Sequence, residues 1–345
     1  SADGACWKYF PHDHARSRAY RWGEDGLLGI TDRECRLCFG LALWNGRDPI
    51  LKERLYGLTT PQGNHGEDVK ELYYYLDATP SHSYLKALYK YPHAEFPYER
   101  LLEENGGRGK DVPEYEIVDT GVFDQNRYFD VQAEYAKRSP DCILIRITVS
   151  NRGPDSATLH LLPQLWFRNT WSWGREGEGY WPRPNIESPG NGTLVAEHVT
   201  LGRWKMEVEP LPGQPVEFIF TENDTNTEKL FGDENDAPYV KDAFHEYVVG
   251  GRTEAVNPSR HGTKAAAVMR LRLAAGETIV LRMLLYADDG KQFCPFDKEF
   301  DWVFEQRIRE ADQFYAGRIA AGRRQERRVA RQAYAAPDQI IAKAG

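Results

Sequence analysis

From about residue 31 to residue 290, apolar and polar positions alternate with a period of two, the spacing that places successive side chains on opposite faces of a strand. In CILIRITVSNRGPDSATLHLLPQLWF, Ile143, Ile145, Ile147 and Val149 fall on one face. Cys142, Leu144, Arg146 and Thr148 fall on the other. The stretch Asn151-Arg152-Gly153-Pro154-Asp155 carries turn chemistry, so the segment predicts a hairpin. A second hairpin is predicted in AVMRLRLAAGETIVLRMLLYA, turning at Ala275-Gly276-Glu277. VKELYYYLDATPSHSYLKALYKY reads as two further strands joined near Thr79-Pro80. Many strands divided by Pro, Gly and Asn turns predict a mainly β fold, a large antiparallel β-sandwich.

Near residue 297 the period changes. Phe300, Val303, Phe304, Ile308, Ala311, Phe314, Tyr315 and Ile319 recur at spacings of three and four, the stripe of an amphipathic helix with Asp297 as its N-cap. The basic run RRQERRVAR follows Gly322 with few apolar anchors, and the sequence offers it no partner. The expected layout is a polar N-terminal loop segment over 1–30, a sandwich domain over 31–296, a linker helix over 297–335 and a tail over 336–345.

Composition narrows the partners. The 44 basic and 52 acidic side chains leave a net charge of −8, the wrong sign for general nucleic-acid binding. Five cysteines, an odd and scattered set, predict no disulfide framework and fit a reducing, cytoplasmic setting. No run approaches the roughly 20 apolar residues of a membrane span. The 9 Trp, 19 Tyr and 15 Phe suit pleated surfaces, and rings also stack on the C–H faces of sugars. Cys35-x-x-Cys38 lies in RECRLCFGLALW, which reads as a buried strand; two residues three apart there face opposite ways and cannot share a metal. The pair is therefore expected to be structural, and no metal or cofactor is expected.

Three polar stretches are candidates for function. In PHDHARSRAYRWGEDG, His12 and His14 at i, i+2 would face one way and Asp13 the other, a poor metal set. Its charges are expected to pair internally, with Asp13, Glu24 and Asp25 against Arg16, Arg18 and Arg21. In LWFRNTWSWGREGEGYW, Trp166 alternates inward as core. Trp171 and Trp173 lie in a Gly-rich loop with Arg168 and Asn169, rings beside planar donors as a sugar site uses them. In GLTTPQGNHGEDVKE, with Asn64 and His65, the adjacent Glu67 and Asp68 read as loop charges. An inverting glycosidase holds its carboxyls about 6.5–9.5 Å apart across the substrate, which sequence neighbours do not span.

HDHARSRAYRWGEDGLLGI, LALWNGRDPILKERLYGLT, GNHGEDVKELYYYLD and LLPQLWFRNTWSW, in this order, resemble the N-terminal part of bacterial glucosidase-like proteins. These belong with glycoside hydrolase family 63, the mannosyl-oligosaccharide glucosidase group that includes mannosylglycerate hydrolases. The resemblance covers residues 1 to about 334 and implies an N-terminal β-sandwich followed by an (α/α)6 barrel that carries the general acid and base. It implies that the chain acts on no substrate alone, its catalytic carboxylates having no matching position here, and that its partner is a helical catalytic domain in cis. It also implies that Arg21, Trp22, Gly23, Glu24 and Asp25 form a substrate-side or interdomain loop braced by His12, Asp13 and His14, with a glucoside or small glycoside as substrate. Two other functions fit the residues: a free-standing carbohydrate-binding module using Trp171 and Trp173, and a scaffold that touches no sugar.

Overall fold

The computed structural model describes residues 12–19, 24–58, 62, 68–177, 179–290, 296–319, 325–326 and 328–335. The fold is mainly β and has two large antiparallel sheets. One sheet has five strands in the order Leu27–Thr31, Leu37–Trp44, Ala157–Phe167, Lys264–Leu273 and Glu217–Thr221. The other has nine, ordered His261–Gly262, Asn185–Gly190, Thr193–His198, Gly202–Val208, Thr278–Ala287, Cys142–Asn151, Tyr128–Ser139, Tyr84–Pro92 and Leu72–Ala78. Leu41, Leu43, Leu161, Leu165 and Phe220 of the first meet Tyr89, Val131, Ile145, Ile147 and Met283 of the second in one buried core. This is the expected sandwich, and it begins at Leu27, inside the segment expected to be a polar loop.

Cys142–Asn151 and Tyr84–Pro92 alternate largely as read, whereas Leu37–Trp44 and the end of Ala157–Phe167 are buried on both faces, and two predicted hairpins are not hairpins. Cys142–Asn151 lies in the nine-stranded sheet and Ala157–Phe167 in the five-stranded one. Lys264–Leu273 and Thr278–Ala287 are divided in the same way. Each turn is a corner that carries the chain between sheets, so both strands keep an apolar face towards the shared core. The two corners lock together at Asn151, which is buried. Its Nδ2 donates to the carbonyls of Asp155 (2.8 Å), Leu273 (3.1 Å) and Ala274 (3.0 Å), and its own carbonyl accepts from Gly276 N (3.1 Å). Leu72–Ala78 and Tyr84–Pro92 do pair antiparallel, as predicted.

The amphipathic stripe forms the Lys298–Ala316 helix, with the Asp297 carboxylate capping Glu299 N at 2.8 Å. Phe300, Val303, Phe304 and Ala311 pack with Tyr84, Ala136, Cys142, Leu144 and Leu284, which lie on the outer face of the nine-stranded sheet. The helix is thus sheathed by its own sandwich on one side. Nor is the basic run after it without a partner: Arg331 Nη2 pairs with Asp77 at 2.6 Å, and Nη1 pairs with Asp312. Those partners come from a distant strand and from the preceding helix, which no local pattern reveals. The tail over 336–345 lies outside the described residues.

Candidate functional site

The Glu217–Thr221 strand runs out into Glu222-Asn223-Asp224, and these three residues gather the predicted site. Asn223 is fully buried. Its Nδ2 donates to Glu24 Oε1 and to the Phe167 carbonyl, both at 2.8 Å. Asn169, also fully buried, donates from Nδ2 to the Asn223 carbonyl at 2.9 Å and to Asp224 Oδ1 at 2.6 Å. Trp171 Nε1 donates to the same Asp224 oxygen at 2.8 Å. Arg183 Nη1 stands 2.8 Å from Asp224 Oδ2 and 3.1 Å from Glu222 Oε2, and its guanidinium lies 5.4 Å from the centre of the Trp171 ring. Thr263 pins the segment, its Oγ1 donating to Glu222 Oε2 at 2.7 Å and accepting from Asn223 N at 2.8 Å. Glu24, Asn169 and Trp171 are thereby joined, and the residues that join them were not among the sequence candidates. The polar run ENDTN after an apolar strand was the available signal.

The remaining candidates separate. Glu24 does not pair with the arginines of its own stretch. Its side chain is 1% exposed and sits 3.3 Å from Lys241 Nζ. Asp25, by contrast, is exposed, 3.8 Å from Arg54. The internal pairing expected for these two acids is replaced because the cations come from distant connecting segments, Lys241 before the Ala243–Val248 helix and Arg54 after the Leu37–Trp44 strand. Arg18 lies over the Phe231 ring at 5.4 Å. His14 belongs to a single helical turn, His12–Ala15, whose His14 carbonyl accepts from Ser17 N at 3.0 Å. Arg21, Trp22 and Gly23, and the side chains of His12 and Asp13, lie outside the described residues. So do Asn64, His65, Glu67 and the Asp68 side chain. Arg168 is half-buried with its backbone N–H on the Arg36 carbonyl at 3.0 Å. Trp173 makes an edge contact with Tyr180, ring centroids 5.7 Å apart.

Two further expectations change. Trp166 is buried, but on the face opposite Leu165 and Phe167, packed with Cys35 and Cys38 on the outer side of the five-stranded sheet. Cys35 precedes that strand in a turn with φ 54°, so the cysteine sulfurs approach to 3.7 Å and do not face apart. Among the described residues no group of three or more His, Cys, Asp or Glu side chains is placed to hold a metal.

Behind Glu24 lies a buried charge network. Lys264 Nζ donates to Glu53 Oε1 at 2.7 Å, and Gln164 Nε2 donates to the same oxygen at 3.0 Å. Burial disfavours the Glu53 carboxylate, yet Lys264 outweighs it and holds its pKa below the ordinary value. Burial also lowers the Lys241 pKa, against the pull of Glu24.

The aromatic loop continues into a cleft. Trp181 makes an edge contact with His198 at 5.0 Å, and His198 Nδ1 accepts from Leu201 N at 3.3 Å. Leu201 lines a cavity of about 500 Å³ with Trp204, Tyr135, Ile30, Leu37 and Leu285, and Asp32, Arg33, His82 and Lys137 add polar groups. Its walls come from the Leu27–Thr31/Leu37–Trp44 edge of the smaller sheet and from strands of the larger sheet. A volume of that size, mostly apolar with a few polar groups, suits a small ligand.

Fold and site together define a large antiparallel β-sandwich whose aromatic loop and adjoining cleft share one end. No protein-family model matches the chain. It is 43% identical over 353 residues to the Saccharomyces cerevisiae protein YMR196W, described as uncharacterized, a match covering 91% of this chain. The chain spans about a third, 32%, of that relative's length. Among solved structures it is similar to the polysaccharide lyase BACCELL_00875, with TM-score 0.32 and 10% identity over 75% of this chain and 27% of that one. It is also similar to a putative aldose 1-epimerase from Escherichia coli K12, with TM-score 0.27 and 13% identity over 62% of this chain and 68% of that one.

Proposed function

We propose that this chain is the β-sandwich unit of a carbohydrate-active protein of the glucosidase-like glycoside hydrolase type. In this reading it presents a sugar-facing wall to a helical catalytic domain, and that domain supplies the acid and base. The observation that carries the reading is the convergence of Glu24, Asn169 and Trp171 on Asn223-Asp224. That network holds half-exposed Trp171, and Trp173, Tyr180 and Trp181 follow it in the same half-exposed loop, which Trp181 and His198 connect to the Trp204–Tyr135 cleft. Rings set beside the guanidinium groups of Arg183 and of Arg33 in the cleft can stack on a sugar face while these planar donors bind its hydroxyls. The longer yeast relative, of which the matched region is about a third, supports a sandwich that works as one unit of a larger protein.

Calorimetric titration of the chain with gluco-oligosaccharides tests the wall. The expected result is binding heat at millimolar ligand that Trp173→Ala weakens several-fold without lowering the melting temperature by more than a few degrees. No heat from the wild-type chain, or an effect of Trp173→Ala on stability alone, would leave a scaffold that touches no sugar. Incubation with nitrophenyl α-glucoside tests the division of labour. No turnover is expected, and robust turnover lost on substituting one carboxylate would place the chemistry within this chain.

A further inference from the structure

The sulfurs of Cys35, in the turn before the Leu37–Trp44 strand, and of Cys38, on that strand, lie 3.7 Å apart, and the sugar-wall reading uses neither. The turn is stiff. Asp32 Oδ1 accepts from Arg36 N (2.7 Å) and Leu37 N (2.9 Å), while Oδ2 accepts from Glu34 N (3.1 Å) and Arg36 Nε (2.9 Å). Trp166 roofs the pair, its indole slotted between Gly26 and Gly40, where an added Cβ would meet the ring at 2.8 and 3.1 Å. Cys35 is 8% exposed and Cys38 2%. A disulfide has sulfurs about 2.05 Å apart, so a short movement of the two side chains closes the gap.

We propose that Cys35 and Cys38 are a peroxide-responsive modification site that forms a reversible intramolecular disulfide. In the first step the Cys35 thiolate attacks one oxygen of hydrogen peroxide. An S–O bond forms, the O–O bond breaks, and the departing hydroxide takes up a proton to leave as water. The Cys38 sulfur then attacks Cys35 sulfur; the S–S bond forms, the S–O bond breaks, and the leaving hydroxide takes the Cys38 proton as a second water. Two electrons pass from the two thiols to the peroxide, and a cellular thiol reverses the change by disulfide exchange.

The environment sets which sulfur attacks. The Cys38 thiol donates to Cys35 and, against burial, brings the Cys35 pKa down to about 7. Burial pushes Cys38 well above the ordinary thiol value. Cys35 is therefore the thiolate near neutral pH and Cys38 the resolving thiol. The turn also forms part of the cleft wall through Thr31, Asp32, Arg33 and Leu37, so the bond would stiffen that wall.

The test uses the native chain, treated with hydrogen peroxide, alkylated and digested with trypsin. Trypsin cuts after Arg36, between the cysteines, so the disulfide appears as residues 34–36 joined to residues 37–47 and separable by reductant. The expected result is this linked pair, forming at a rate that rises through pH 7. Cys142, which burial pushes up to about 11, should remain alkylatable as an internal control. Separate alkylated peptides, a Cys35 sulfinic acid with no linked pair, or a rate rising only through the ordinary thiol range near 8.5 would overturn the proposal. Cys38→Ala, which has neither a resolving sulfur nor a donor, should leave a Cys35 sulfenic acid open to trapping by a dimedone probe and move its pH profile upward. An unmoved profile would remove Cys38 from the mechanism. Should that variant not fold, the wild-type digest decides alone.

Discussion

The amide of Asn223 donates to the carboxylate of Glu24 at 2.8 Å, joining two residues 199 positions apart in the chain. Glu24 follows the Arg21-Trp22-Gly23 stretch, and Asn223 borders the Asn169–Trp171 loop. The bond therefore ties the N-terminal segment to the aromatic loop at a point where water is excluded. A buried carboxylate depends heavily on each of its partners, and among the described residues those of Glu24 are the Asn223 amide and the Lys241 ammonium.

Asn223→Leu, close in shape, leaves Glu24 with Lys241 but without its amide donor and removes the same donor from the Phe167 carbonyl. The expected cost is about 2–3 kcal/mol, read from urea unfolding. Asn223→Asp should cost more, because a second carboxylate then faces Glu24. Equal or smaller loss for the aspartate variant would show that Glu24 does not depend on the amide.

Lys264 is 3% exposed in its side chain and holds Glu53 at 2.7 Å. Removing one member of a buried pair leaves the other charged and unpaired, so Lys264→Met should cost about 3–5 kcal/mol. Adding Glu53→Gln removes the orphaned charge and keeps an acceptor for Gln164. The double variant is expected to be more stable than Lys264→Met alone, as measured by thermal unfolding; a further loss would contradict the ion-pair account.

His245 should make stability depend on pH. Its Nδ1 accepts from Leu51 N at 3.2 Å, and burial, aided by Arg16, lowers its pKa to about 4. An unfolded histidine titrates near 6.5, so between pH 6.5 and 4 the unfolded chain binds the proton and the folded chain does not. The contribution is full above pH 6.5, is lost as pH falls towards 4, and amounts to on the order of 2–3 kcal/mol. His245→Asn keeps an acceptor near Nδ1 without titrating. The stability difference between wild type and variant should shift in the variant's favour across this window, and parallel curves would rule His245 out as the source.

Phe304 is 1% exposed, with the Arg146 guanidinium 4.1 Å from its ring centre. Phe304→Ala should therefore cost about 3–5 kcal/mol in a single cooperative transition. A separate early transition for the helix, with the sandwich unchanged, would mean that it rests on the sheet without being part of its fold.

Much of this architecture was legible in local pattern. Period two marked the strands, because alternation reports which side chains leave water, and both faces of Cys142–Asn151 were identified correctly. The inner face carries Ile145, Ile147 and Val149, and the outer face carries Cys142 and Leu144 beneath the helix. Spacings of three and four marked the Lys298–Ala316 helix and its Asp297 cap. Trp171 and Asn169 were visible as ring beside amide.

What the chain alone determined, then, is where strands, turns and the amphipathic helix lie and which side chains prefer burial, since these follow from propensities acting over a few residues. Only tertiary structure decided that two apparent hairpins are corners between sheets, that Glu24 pairs with Lys241 and not its neighbouring arginines, and that Cys35 turns towards Cys38. The corners and the Glu24–Lys241 pair depend on which distant segment supplies the partner, and the Cys35 turn depends on a left-handed backbone that a period of two does not report. A buried charge or amide is satisfied by whatever the closed sandwich places within about 3 Å, and that proximity exists only after the sheets have met.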